Sequence, residues 1–296
     1  MVMWRWLAVL LMVVAADAAP GTLLAPEMMA SSGAGPMVVT VWLPPGYQTS
    51  TERYPVLYMH DGQNLFDAAG RATSWNRHTW GVDAVAAELI AAGKIPPVII
   101  VGVDHKGPER ARQYYPQAAF DRLEPALKQQ VMSVPPYSDA YLRFLVKELK
   151  PVVDGRFRTR SDRASTFVMG SSMGGLISLY AFAEYPKTFG GAGCLSTHWV
   201  MAVASPSAPA EPLFSAYESY LRDKDLKPGR LWLDHGTVGL DSAYGPYQAR
   251  IDTLLVTKGW RQGVNFVSRS YPGADHSEDA WRARLGESLI FLLGGS

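Results

Sequence analysis

The chain has 296 residues, 48% of them hydrophobic, which is enough to bury one large core, so one domain is expected rather than two small ones. Its formal net charge is +1 with no basic or acidic block, so nothing in it points to nucleic acid or a strongly charged surface partner. Cys194 is the single cysteine, which excludes an internal disulfide and a thiolate zinc site.

The N-terminus reads as a targeting segment. Arg5 supplies a positive region, residues 7–16 an apolar run, and Ala16-Asp17-Ala18 a small-residue cleavage pattern. The run is too short to span a bilayer comfortably, and no cysteine follows the cleavage pattern to carry a lipid anchor. Residues 1–18 are therefore expected to be a signal peptide and residues 19–296 one domain, exported to the periplasm or secreted.

Met37–Leu43 alternates loosely and ends at Pro44-Pro45-Gly46, a strand followed by a turn. Residues 54–59 form a second apolar run leading into His60-Asp61-Gly62-Gln63-Asn64. Residues 81–92 have the apolar spacing of an amphipathic helix, closed by Gly93. After Pro96-Pro97, residues 98–103 are β-branched throughout much of their length, as in a strand buried on both faces. Residues 141–153 read as a helix that Pro151 should kink or break.

Residues 164–169 are a short apolar run, followed by Gly170-Ser171-Ser172-Met173-Gly174 and an apolar helix that should stop near Pro186. Strand, G-x-S-x-G, then helix is the context of a nucleophile elbow, which holds a serine hydroxyl clear of the sheet. Small neighbours at Gly170 and Gly174 let the strained turn form without clashes. Residues 190–195 give another strand, and residues 201–212, rich in alanine, serine and proline, an exposed loop. Residues 230–235, 247–256 and 264–271 read as strand, helix and strand, and residues 281–293 as a closing helix. The alternation predicts an α/β fold, a mostly parallel central sheet with helices on both faces. The active site belongs at the carboxyl ends of its strands.

A serine hydroxyl needs a base, and the base needs a third group to fix its tautomer. Three histidines follow Ser172. His276 lies between the last expected strand and the last helix, where a hydrolase base should sit; His198 and His235 come too early. The acid should follow the strand at 230–235. Asp241, in the loop beyond it, is favoured for its freedom to reach His276, with Asp234 at the strand end as the alternative. Asp275 adjoins His276 and is poorly placed to face it. Two preorganised donors are expected at the oxyanion, the backbone N–H of Met173 and that of Gln63, where Gly62 allows close approach.

These residues carry a specific resemblance. The stretches PVLYMHDGQNLFD, IPPVIIVGVD, GSSMGG, DHGTVGLD and GADHSEDAWRARL resemble the bacterial putative-esterase branch of the α/β-hydrolases. That group includes ferric-enterobactin, feruloyl and acetylxylan esterases, S-formylglutathione hydrolases and mycolyltransferases. The resemblance covers nearly all of the mature chain. It implies a triad of Ser172, Asp241 and His276 with an oxyanion hole at Gln63 and Met173. Family members differ in the acid, and some enterobactin esterases work largely through a serine–histidine pair. Arg112-Gln113-Tyr114-Tyr115-Pro116 resembles a segment bordering the cleft, which makes Arg112 and Tyr114 candidate substrate contacts. Trp42, Trp75, Trp80, Tyr114, Tyr115 and Trp199 are aromatic candidates for a cleft lining or for the core.

The expected activity is that of an exported serine esterase working through an acyl-enzyme, with a small-molecule or glycan-linked ester as substrate. Acyl transfer to a sugar or other alcohol, or a catalytically silent binding protein of the same fold, are the alternatives. No metal or organic cofactor is expected, because the glycine-rich turn matches neither nucleotide motif and the histidines lack metal-site spacing.

Overall fold

The computed structural model describes residues 20–74, 76–202 and 209–294; the expected signal segment, Trp75 and much of the expected loop at 201–212 lie outside them. Among the described residues nine strands form one sheet: β1 (Thr22–Leu23), β2 (Glu27–Met29), β3 (Met37–Leu43), β4 (Val56–His60), β5 (Ile99–Val103), β6 (Thr166–Ser171), β7 (Gly191–Leu195), β8 (Arg230–Gly236) and β9 (Phe266–Tyr271). The order is β1-β3-β5-β4-β6-β7-β8-β9, with β2 also on β3. β1 and β2 run antiparallel to β3, and β3 antiparallel to β5; every pairing from β5 to β9 is parallel. The sheet is thus α/β and mostly parallel, as the alternation of elements predicts.

The central strands are buried at every position because both faces are covered. Side chains alternate between two apolar clusters. Val56, Tyr58 and Val168 enter one, while Leu57, Met59, Phe167 and Met169 enter the other, the period-two signature of a strand between layers. The first face is covered by helices that include Met173–Glu184 and Ala210–Asp223, the second by Val82–Ala91 and Glu278–Leu293.

Two expectations change. The helix at 141–153 does not break at Pro151: helical residues run from Ser138–Arg143 through a π-helical turn, Phe144–Leu149, into Lys150–Arg156. Proline has no N–H to give the preceding turn, and the wider π spacing just before it accommodates that loss. The expected loop at 201–212 ends early, since the helix Ala210–Asp223 carries Pro212 in its first turn, where a missing N–H costs nothing. Its Leu213, Phe214, Tyr217, Tyr220 and Leu221 form one buried face at helical spacing. Met201 is buried rather than exposed. Among the described residues, no helix is long and apolar enough to cross a membrane.

Candidate active site

The carboxyl ends of β4, β6, β7, β8 and β9 converge, and each delivers one part of the site. β6 delivers Ser172. Its backbone sits at φ 57° and ψ −123°, a conformation costly for any residue with a side chain and tolerated where the surroundings enforce it. Its N–H is tied to the Leu195 carbonyl at 2.9 Å, and its carbonyl accepts from Gly175, Leu176 and His198. The turn closes because a β-carbon on Gly170 would lie 2.8 Å from the Gly174 carbonyl. One on Gly175 would lie 2.6 Å from the Thr197 hydroxyl. Met173 is the first residue of the helix, so its N–H has no intrahelical acceptor.

β8 and β9 deliver the histidine and its partner. His276 Nδ1 lies 2.5 Å from Asp241 Oδ1. The other Asp241 oxygen accepts from the Gly236 N–H at 2.6 Å and from the Ser196 hydroxyl at 2.5 Å. Burial pushes the Asp241 carboxyl up, but the hydrogen bonds from His276 and Ser196 outweigh it and hold the group below the usual carboxylate range. The His276 ring rests edge-on against Trp281 and Tyr244.

Asp234 does not meet His276. It accepts from the Trp232 indole at 2.7 Å, the Ser196 N–H at 3.2 Å and Arg284 Nε at 3.1 Å. Burial, only partly offset by Arg284, raises its pKa. Arg284, itself buried, also donates to the Ser196 hydroxyl at 2.6 Å, and the Trp281 indole donates to the same oxygen at 2.9 Å. A chain therefore runs His276–Asp241–Ser196–Arg284–Asp234, with Ser196 held at φ 40°.

β4 delivers the loop expected to complete the oxyanion hole. Asp61, at φ 57°, starts a single 3-10 turn, Gly62–Asn64. A β-carbon on Gly62 would lie 2.8 Å from the β5 backbone. Arg110 grips Asp61 with Nε at 2.7 Å and Nη2 at 2.8 Å, while the Asp61 N–H donates to the Tyr114 hydroxyl at 3.0 Å. His60 Nδ1 pairs with the Tyr141 hydroxyl at 2.7 Å, and the Gln63 side chain accepts from the His105 N–H at 3.2 Å. The backbone N–H of Gln63 makes no hydrogen bond with another described residue.

Ser172 and His276 open into one cleft of about 210 Å³, lined also by Asp61, Asn64, Trp80, Arg110, Glu278 and Trp281. Neither expected substrate contact reaches it. Tyr114 is fully buried beneath Asp61, and Arg112 donates to the Pro135 carbonyl and packs over Tyr137. The helical turn Arg110–Tyr114 explains this: residues four apart share a face, so Arg110 and Tyr114 both meet Asp61 while Arg112 points elsewhere. Trp80 borders the cleft, whereas Trp42, Tyr115 and Trp199 belong to the apolar clusters. Sequence reasoning overlooked Arg110, Ser196, Glu278 and Arg284. The last two fall within the stretch GADHSEDAWRARL, of which only the histidine had been assigned a role.

The family described as "Putative esterase" matches residues 31–292. The chain belongs to that family. Its fold is similar to that of an IroE-like serine hydrolase from Shewanella oneidensis, at 22% identity and TM-score 0.65, covering 91% of this chain and 79% of that one. It is also similar to the enterobactin esterase FES of Shigella flexneri with enterobactin, at 18% identity and TM-score 0.67, covering 94% of this chain and 59% of that one. In sequence it is 25% identical to the uncharacterized protein YbbA of Bacillus subtilis over 171 residues, 56% of this chain and 59% of YbbA. The chain thus spans little more than half the length of YbbA and of a second Bacillus subtilis relative, the uncharacterized protein YjcH.

Proposed function

We propose that the protein is a carboxylic-ester hydrolase that works through an acyl-enzyme on Ser172. The observation carrying this reading is His276, paired with the buried Asp241, lining the same cleft as a serine held on a strained strand-to-helix turn. In this mechanism Nε2 of His276 takes the Ser172 proton as the hydroxyl oxygen attacks the ester carbonyl. Asp241 keeps the Nδ1–H tautomer in place and stabilises the imidazolium. The N–H groups of Met173 and Gln63 receive the oxyanion. Collapse expels the alcohol, which takes the proton from His276. Water then attacks the acyl-enzyme with His276 again as base, releasing the acid and restoring Ser172. Export is part of the proposal and rests on the N-terminal pattern of residues 1–18.

Labelling with a fluorophosphonate and turnover of p-nitrophenyl acetate and butyrate test the reading together. Wild-type protein should label at Ser172 and turn over both esters. Ser172→Ala should lose labelling and on the order of 10⁶ in kcat. Undiminished turnover in that variant, or folded wild-type protein that does not label, would end it.

A further inference from the structure

The cleft contains a carboxylate for which the mechanism has no use. Glu278 is only 6% exposed, lines the cavity with Ser172 and His276, and makes no hydrogen bond or ion pair with another described residue. Its carboxylate accepts from its own backbone N–H and otherwise faces the open cleft, so a group entering the cleft can reach it. Its neighbours are all engaged. Ser277 donates to Asp275 at 2.6 Å and caps the helix by accepting from Ala280, while Asp279 faces outward and pairs with His78 at 2.7 Å. Arg110, among the described residues the one Lys or Arg lining the cleft, already has two of its nitrogens on Asp61. The lining therefore contains Arg110 with two carboxylates, Asp61 and Glu278, and Glu278 has no cation of its own among the described residues.

We infer that Glu278 is the specificity-determining residue of the cleft, receiving a hydroxyl or ammonium group carried by the ester and turning away anionic esters. The inference rests on the Ser172 reading. The cavity is small, about 210 Å³, so the recognised donor lies within a few bonds of the scissile carbonyl. Burial, with Asp61 adding to it and Arg110 opposing, raises the Glu278 pKa. A donor brought by the substrate replaces the solvation that burial removed, which is what makes the contact selective. A helix N-terminus also favours acidic residues, but Asp279 in the same turn supplies that without burial.

The experiment compares kcat/KM for matched butanoate, hydroxybutanoate, aminobutanoate and hemisuccinate esters of one alcohol. A second series carries the same substituents on the alcohol side, which distinguishes the two possible positions of the donor. Wild-type protein should prefer the ammonium ester over the carboxylate ester by about 100-fold in one series, as a charge-assisted hydrogen bond gained in one case and a repulsion in the other allow. Glu278→Gln should cut that ratio at least about tenfold. Glu278→Asp should preserve its direction, and Asp279→Asn should leave it within about twofold. Equal ratios in wild type and Glu278→Gln overturn the inference, as does an equal fall in Asp279→Asn, which would mean a general field effect. Enzyme that labels at Ser172 but shows no charge preference overturns the Glu278 role alone. Protein that neither labels nor turns over any ester overturns both readings.

Discussion

Ser196 donates its hydroxyl proton to Asp241 across 2.5 Å, and its oxygen in turn receives Arg284 and the Trp281 indole. A hydroxyl that accepts two donors has its own proton fixed on the third partner, so Asp241 is held from behind as firmly as from the Gly236 side. Ser196→Ala removes that hold and leaves Arg284 one acceptor short. The expected result is a fall of about tenfold in kcat with little change in KM, the pattern of lost positioning, together with about 1–3 kcal/mol of stability. Steady-state kinetics and urea unfolding on the same preparation check both parts. Unchanged kcat would show that Gly236 alone suffices to hold the carboxylate.

Asp241→Asn keeps the shape of the side chain but favours the wrong imidazole tautomer, so kcat should fall by on the order of 10⁴. Asp234→Asn acts elsewhere, weakening the answer to the buried Arg284 charge, and should appear mainly as a lowered Tm. A large kinetic loss at Asp234 with a small one at Asp241 would reverse the two roles. Small losses at both would mean that Ser172 and His276 operate as a pair.

Arg110 and Arg112 should separate sharply. Arg110→Ala strands the buried Asp61 carboxylate, and the expected cost is about 3 kcal/mol, accompanied by loss of order in the loop that carries Gln63. Arg112→Ala removes a partly exposed contact with a loop carbonyl and should stay within about 0.5 kcal/mol. Urea midpoints at neutral pH decide between them.

Two buried histidines should make the protein sensitive to mild acid. Burial, partly opposed by Asp61, lowers the His60 pKa to about 3. Burial, reinforced by His276, lowers that of His198 to about 4. Unfolded histidine takes its proton near 6.5, so below that pH the unfolded chain binds more protons than the folded one. Their contribution is therefore intact above pH ~6.5 and is lost as pH falls, at about 1.4 kcal/mol per pH unit for each ring until its folded pKa is reached. His198→Gln should lose roughly half of this histidine-linked decline between pH ~6.5 and ~5. Measuring the variant against wild type removes the opposite contribution of carboxyls with raised pKa, such as Asp234 and Glu278. An identical pH profile for the two proteins would show that His198 takes its proton in the folded state.

The sequence reveals local patterns well and facing surfaces poorly. The turn around Ser172 is legible because strand, glycines and helix are contiguous, and its geometry follows from which neighbours lack a β-carbon. The position of His276 is legible because chain order constrains it. Choosing between Asp234 and Asp241 needs the direction in which a strand-end side chain points, and that depends on Arg284, 50 residues away. Arg110 was passed over for Arg112 because only the placement of a five-residue helical turn decides which arginine shares a face with Tyr114. Pro212 hid a helix because proline reads as a breaker in sequence but is harmless in a first turn.

β9 is the last strand on its side of the sheet and half-exposed along most of its length, and His276 follows five residues after it. The proposed nucleophile, Ser172, by contrast leaves β6, which has neighbours on both sides. The proposed base and nucleophile are thus anchored in regions of unequal robustness, since edges of a structure open at lower free energy than its centre. Gentle heating that loosens this margin would separate His276 from an intact elbow. Catalysis would then stop while the far-ultraviolet signal of the sheet and helices still reads as folded, and it would return on cooling without any refolding of the core.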